Sequence, residues 1–379
     1  MDVAEYDVIV VHYGEVTLKR GKRGLYERIL MNNLRKGVGL PVKRLQGRYV
    51  IELTHETELD DVLSRVGKVF GVVWYAPAIK ANSIEELKGR LAEILKDRGT
   101  RRIKIETRRS DKSFPMTSLE ISKRIGEYLA SSLGLKIDLK NPEERILVEI
   151  TSEGIYASLQ KLRGPGGLPV GSSGKVLGLF SGGPLSLIAC WYMMKRGCVV
   201  DVLHVSGGEF FQSKEYDLFR KLLEYSLEFK LYLIPSTAFR ELSIRIPEKL
   251  REQAFKLYLL MLGEAVARRG RHLGLVWGYN AALNPSGLEE FCAITQFRSL
   301  PSYAPLISLS GQEVFERARY LGIDLAPTRR DRFLPNMDEL EKLSGRYGLE
   351  TIVDSSLKFL EVFKLRRGEE PRRIWPKGS

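Results

Sequence analysis

The chain has 379 residues, with 60 lysines and arginines against 47 aspartates and glutamates, giving a formal net charge of +13. Apolar residues at 44% and charged residues at 28% exclude a disordered chain and predict two or three domains, each burying its own core. The cation excess suits a polyanionic partner, nucleic acid first.

Three cysteines, Cys190, Cys198 and Cys292, form no CxxC pair, which speaks against a disulfide framework or a zinc site. His12, His55, His204 and His272 have no HxxxH spacing and read as isolated packing or surface residues. The start MDVAEYDVIVV is acidic and lacks the basic opening of a signal peptide. The apolar run LYLLMLGEAVA is too short to span a bilayer and carries Glu264. The expected location is cytoplasmic.

In chain order, Tyr6–His12 is a β-branched strand and Gly24–Leu34 has helical spacing. Val42–Leu53 reads as a hairpin bent at Gly47, Leu59–Val66 as a helix, and Val69–Ala76 as a closing strand. The order βαββαβ predicts a ferredoxin-like sandwich over residues 1–77. Lys19, Arg20, Lys22 and Arg23 form a basic loop there, either a solvated turn or a phosphate contact.

Residues 78–170 form a second unit. Ser83-Ile84-Glu85-Glu86 and Thr117-Ser118-Leu119-Glu120 are capping boxes, in which the hydroxyl accepts from the first turn while the glutamate reaches back. Between them lies the densest basic segment: Arg98, Arg101, Arg102, Lys104, Arg108, Arg109 and Lys112. A strand ending in Arg108-Arg109, then a loop and a helix N-terminus, offers cations and free N–H groups to phosphate. The Gly/Pro-rich run Lys161–Gly171 is the clearest domain boundary.

Residues 171–379 repeat strand and helix: Val176–Phe180, Leu185–Lys195, Val199–Val205, Lys214–Leu227, Leu231–Ile234, a long helix from about Pro247 to Arg268, and Leu273–Gly278. This predicts a Rossmann-like parallel α/β domain. The tail from Lys364 is basic and poorly patterned, a flexible end or an RNA-touching arm. Cys292 in EEFCAITQF, with no adjacent cation or histidine, reads as a buried structural cysteine.

The stretch Ile103–Ile150 closely resembles the RNA-binding THUMP domain of tRNA 4-thiouridine synthetases, the ThiI-type tRNA sulfurtransferases. VVHYGEVTLKRGKRG resembles the start of that family's ferredoxin-like domain, and GPGGLP its connection to the catalytic domain. The resemblance implies tRNA as partner, a homodimer or a heterodimer with an active paralogue, and no membrane. With it, Lys104, Arg108, Arg109, Lys112, Lys161 and Arg163 become the RNA-binding candidates, since RNA is recognised largely by shape and backbone.

VLGLFSGGPLS resembles the SGGxDS loop of PP-loop ATP pyrophosphatases, which attach AMP to a carbonyl oxygen so that sulfur or nitrogen can displace it. The resemblance implies a vestigial nucleotide site of Leu179, Phe180, Ser181, Gly182, Gly183, Ser186, His204, Val205 and Gly278. The family's aspartate is Leu185 here, and Pro184 before it has no N–H to offer a phosphate. The positions of the CxxC pair found in many archaeal members hold Glu252 and Phe255. Val276-Trp277-Gly278-Tyr279-Asn280 stands where the family has a TGE-like turn, and its later GQ pair and Gln appear as Ala282, Leu283 and Gly287. The expected function is therefore a tRNA-binding, thiolation-associated protein with an inactive PP-loop domain, an accessory subunit in one version. On this reading no catalytic residue, no metal and no cofactor are expected. The alternatives are an active ATP- and Mg²⁺-dependent tRNA sulfurtransferase, or a domain that still holds an adenine nucleotide.

Overall fold

In the computed structural model the described residues are 6–18, 21–54, 56–96, 98–283, 287–296, 299–325 and 337–376. Chain contacts divide it into unit 1, Met1–Leu168, and unit 2, Pro169–Ser379.

Unit 1 begins with the β-branched run Val8–Tyr13 as β1, followed by α1 (Arg23–Val38), β2 (Val42–Leu45), β3 (Arg48–Glu52), α2 (Leu59–Val66) and β4 (Val72–Ala81). Gly39 ends α1 in the left-handed conformation, and Gly47 turns the hairpin at φ 79°. The sheet order β2-β3-β1-β4 is that of a ferredoxin-like fold. Then come α3 (Ile84–Lys96), β5 (Arg102–Arg109), α4 (Ser118–Leu133), β6 (Lys136–Ile137), β7 (Glu144–Thr151), β8 (Gly154–Ser158) and β9 (Leu162–Arg163). Thr117 completes its capping box with Glu120. At Ser83 only half the box forms: its hydroxyl accepts from the Glu86 amide, while Glu86 reaches the amide of Asn82, one residue earlier.

The division expected between residues 77 and 78 falls inside β4. Its first part pairs with β1 and its last three residues with β8, so one sheet runs on through β8-β7-β5-β6. Strand alternation then sorts the side chains. Ile9, Val11, Ile103, Ile105, Ile146 and Val148 join the core formed with all four helices. Val8, Val10, Val50 and Tyr156 form a smaller apolar cluster on the other face.

The Gly/Pro run is no free tether. β9 pairs with Trp74 and Tyr75, and the amides of Gly164 and Gly166 donate to Val73 and Val72. A Cβ on Gly164 would sit 2.3 Å from the Val72 oxygen, so only glycine lets the strap lie this close.

Unit 2 contains β10 (Lys175–Phe180), α5 (Pro184–Lys195), β11 (Val199–Ser206), α6 (Lys214–Leu223), β12 (Glu228–Pro235), α7 (Thr237–Ser243), α8 (Glu248–Gly270), β13 (Leu275–Val276) and α9 (Gly287–Thr295). There follow β14 (Ser302–Tyr303), α10 (Gly311–Tyr320), α11 (Met337–Arg346), α12 (Leu349–Leu357), β15 (Glu361–Arg366) and β16 (Arg372–Trp375). The order is β14-β13-β10-β11-β12-β15-β16, parallel from β14 to β12. Chain direction across the sheet reverses between β10 and β13, which places a crevice at their carboxyl ends.

The tail expected to be poorly patterned is an ordered hairpin, β15 antiparallel to β12 and β16 antiparallel to β15. Val362 and Leu365 are buried, and Phe363 packs on Phe211 at 4.8 Å, which gives the segment the apolar anchor its charge conceals. Among the described residues no helix is long and apolar enough to cross a membrane.

Candidate RNA face and nucleotide loop

On β5 the isoleucines at 103 and 105 turn into the helix-covered core, so Lys104, Glu106 and Arg108 project from the opposite face. Arg108 is exposed and shares a cleft with Glu106, Arg145 and Lys161. Lys104 is paired with Glu106 at 2.8 Å. Lys112 and Arg163 are exposed.

Arg109 belongs to the other side of the strand. Its guanidinium donates to the Phe114 carbonyl at 2.9 Å and to that of Met116, tying down the loop before α4. Adjacency to Arg108 in sequence therefore does not make it part of the same cationic row.

Four residues missed at the sequence level organise this face. Glu149 is 3% exposed and accepts from Arg48 at 2.6 Å and contacts His12 Nε2 at 3.2 Å. Burial alone would push its carboxyl up, but the His12 hydrogen bond and the charges of His12 and Arg48 outweigh that and hold it below the ordinary range. The His12 ring stacks on Trp74 at 3.7 Å and 11°, and the Lys161 ammonium lies over the same indole at 4.4 Å. A chain of contacts thus runs Arg48–Glu149–His12–Trp74–Lys161 across β3, β7, β1, β4 and the strap. His12 is not the isolated histidine that spacing suggested, and neither is His272, whose Nε2 is 2.9 Å from buried Asp201. The signal was weak: alternation put His12 on the polar phase of an apolar strand, but its partner lies 137 residues away.

The remaining basic-loop residues, Lys22 and Arg23, sit at the start of α1. Arg23 bonds Glu27 at 2.8 Å, with Tyr13 and Arg44 closing on the same carboxylate, which is a structural use. Lys19, Arg20 and His55 lie outside the described residues.

In unit 2, Ser181-Gly182-Gly183 links β10 to α5, with Gly182 at φ 89° and Pro184 as the first helical residue. A Cβ on Gly182 or Gly183 would touch nothing, so the space at the loop is open. Gly278 approaches from β13 so closely that a Cβ would lie 2.5 Å from the Ser186 amide nitrogen. The crevice thus brings together Ser181, Gly182, Gly183, Ser186 and Gly278.

The other candidates contribute differently. Leu179, Phe180, His204 and Val205 are all buried. Phe180 meets Phe219 edge-on at 4.6 Å and His204 at 4.9 Å, and His204 Nδ1 lies 3.2 Å from the Phe180 carbonyl. Burial lowers the His204 pKa, so its ring is neutral at pH 7. Their side chains are core, leaving only strand-end backbone for a ligand.

Two features of the turn and of α8 fill places where polar chemistry is expected. Asn280, 0% exposed, donates to the carbonyls of Leu306 and Leu309 and accepts from the amides of Ala282 and Leu283. These four bonds hold the loop to the turn. Glu252 pairs with Lys256 at 3.0 Å, and Lys256 lies over the Tyr279 ring at 5.5 Å.

Cys190 is buried against Gly178, and burial pushes its thiol up to about 12. Cys198 is likewise buried and raised. Cys292, expected to be buried, is exposed: it takes the solvent side of α9, whose Ile294 faces the core.

Comparison with known proteins follows this division. The ThiI ferredoxin-like domain matches residues 8–76, the THUMP domain residues 81–160, and the family described as thiamine biosynthesis protein (ThiI) residues 171–332. Relatives named probable tRNA sulfurtransferase include one from Moorella thermoacetica, 34% identical with 84% of each chain covered. Another is from Nocardia farcinica, 30% identical over 96% of each. A third, from Macrococcus caseolyticus, is 28% identical over 96% of this chain and 97% of its own.

Among solved structures, a 4-thiouridine synthetase–RNA complex with bound ATP superposes with a TM-score of 0.82 over 95% of this chain and all of its own. Its 24% identity makes that a likeness of fold. PH1313 from Pyrococcus horikoshii Ot3 aligns at 0.66 with 27% identity, over 84% of this chain and all of its own. The three domain matches in order, and relatives of this identity and coverage, place this chain in the ThiI family of tRNA sulfurtransferases.

Proposed function

We propose that this chain binds tRNA through unit 1 and serves tRNA thiolation without turning over ATP itself, as an RNA-holding partner of an active sulfurtransferase subunit. The observation that carries the reading is the loop after β10. Leu185 stands where a PP-loop enzyme has an acid that manages phosphate and metal charge, and Pro184 offers no N–H. The polar turn after β13 has spent its amide on loop carbonyls. Unit 1, by contrast, keeps exposed Arg108, Lys161 and Arg163 on or beside one face of an ordered sheet. The relatives' shared description as tRNA sulfurtransferases supports tRNA as the polyanion.

The residues fit ATP in part and Mg²⁺ poorly. The open glycine loop and the start of α5 suit a phosphate. Among the described residues no three His, Cys, Asp or Glu side chains gather as a metal site would require. No cofactor is expected for the RNA-holding role. The open space over Gly182 and Gly183 favours one second reading, in which an adenine nucleotide, with Mg²⁺ supplied from solution, is held or even used.

Purified protein with unmodified tRNA transcript, ATP, Mg²⁺ and sulfide tests both. The expected result is a bound transcript without the near-ultraviolet absorbance of 4-thiouridine. Thiouridine formed by this chain alone overturns the inactive-loop reading. Binding heat from calorimetry with millimolar ATP, without thiouridine, supports nucleotide holding.

A further inference from the structure

The C-terminal hairpin lies beyond residues 171–332 matched by the ThiI model, and the functional reading above makes no use of it. Its outer strand β16, Arg372–Trp375, is the edge of the unit 2 sheet. Ile374 packs against the core, while Arg372, Arg373 and Trp375 are exposed. Trp375 is 58% exposed and makes no ring or cation contact among the described residues. The indoles at 191 and 277 are buried, and Trp74 is stacked.

Two ordinary explanations fail to cover this. Arginines on an edge strand discourage other strands from pairing, but an exposed indole does the opposite. A docking strand is also poorly served: β16 has four residues and is bracketed by Pro371 and Pro376, neither with an N–H to donate. What remains is an exposed aromatic surface on a short strand that also carries two exposed guanidinium groups. That combination stacks a nucleobase while neutralising its phosphates.

The charges around it agree. Arg373 pairs with Glu361 at 3.1 Å, and Lys364 and Arg366 share Glu228 at 3.0 Å each, all on partly exposed side chains. Arg366 also reaches Glu369 at 3.5 Å. Such surface pairs are weak and exchange readily for phosphate. Arg372 has no ion pair among the described residues.

We infer that β16 and its turn form a second RNA contact, separate from the unit 1 face, with Trp375 stacking an unpaired base and Arg372 and Arg373 taking backbone phosphates. The inference rests on the reading of this chain as an RNA-binding protein and adds a second surface to it.

The test uses the full chain and fluorescently labelled unmodified tRNA transcript, titrated across a salt series. Trp375→Ala is expected to weaken binding by about fivefold or more, as loss of one base stack does, and Trp375→Phe to restore most of it. Arg372→Ala with Arg373→Ala is expected to lower the salt slope by about 1 to 2. All these side chains are exposed, so the melting temperature should not move. Wild-type affinity in both hairpin variants, with binding lost in Arg108→Ala with Lys161→Ala, overturns the inference and leaves the RNA reading intact. No measurable transcript binding by the wild-type chain overturns both.

Discussion

The two units carry their sites in opposite ways. In unit 1 the candidate RNA face is spread over strands of one sheet whose helices lie on the other side, so its charge does not hang on one residue. In unit 2 the candidate nucleotide loop rests on a few atoms at the ends of β10 and β13, where Leu185, Pro184 and a loop-bound Asn280 stand. A distributed electrostatic surface tolerates the loss of single residues, whereas a site that must manage a triphosphate does not. An α/β frame of this kind does not depend on the residue types at its loop, so Leu185 and Pro184 are compatible with the same fold.

The largest effect that would sharpen this contrast comes from Glu149→Ala. It leaves the Arg48 guanidinium, 7% exposed, as a buried charge without its carboxylate, which costs about 3–5 kcal/mol. Chemical denaturation followed by hydrogen exchange should show the loss in β1, β3 and β7 peptides and little change in unit 2. Equal loss in both units would break the picture of separate cores.

Gly278→Ala should do the reverse. Its new methyl meets the α5 backbone at 2.5 Å, and overpacking of that kind costs about 1–3 kcal/mol. Protection should fall in β13 and α5, with tRNA binding through unit 1 unchanged.

Next in size is the pair Arg108→Ala and Arg109→Ala. The first should weaken transcript binding a few-fold and reduce the salt slope by about 1, leaving stability alone. The second should lower stability by about 1 kcal/mol through two lost carbonyl bonds, seen as faster exchange in residues 110–117. Identical phenotypes would contradict their placement on opposite faces.

The smallest effect is acidification, and it should reach the units at different pH. His204 has a lowered folded pKa, so the unfolded chain binds the proton first: its contribution is complete above about 6.5 and declines below it. Glu149 also has a lowered folded pKa, but its unfolded value is near 4.3. Its contribution stays complete down to about there and declines only at lower pH. Exchange in the β11 region should therefore accelerate between pH 6.5 and 5 while β7 holds, and His204→Phe should remove that early step.

Much of the frame was legible because local pattern and tertiary need agreed. Leu59–Val66 is a helix with the predicted bounds, and Thr117-x-x-Glu120 caps α4 as its spacing demands. The βαββαβ order, the parallel α/β repeat and the glycine loop after β10 followed from periodicity and turn residues.

What escaped notice has a common cause. The Glu149 bracket joins residues 101 and 137 positions apart, and nothing local marks either end. The strap at Gly164 and the hairpin at Glu361–Trp375 looked like linker and tail, because glycine, proline and charge dominate their composition. Their strand pairing is supplied by distant β4 and β12.

By itself the sequence determined the order of domains, the excess of cations and the presence of Pro184 and Leu185 after the glycine turn, since these are properties of residue type and spacing. Only the tertiary structure decided which arginines share a face, what Glu149 and Asn280 hold, and that Arg372–Trp375 is a strand with an exposed indole. Those outcomes depend on which strand lies beside which, and hydrogen bonds across a sheet do not follow distance along the chain.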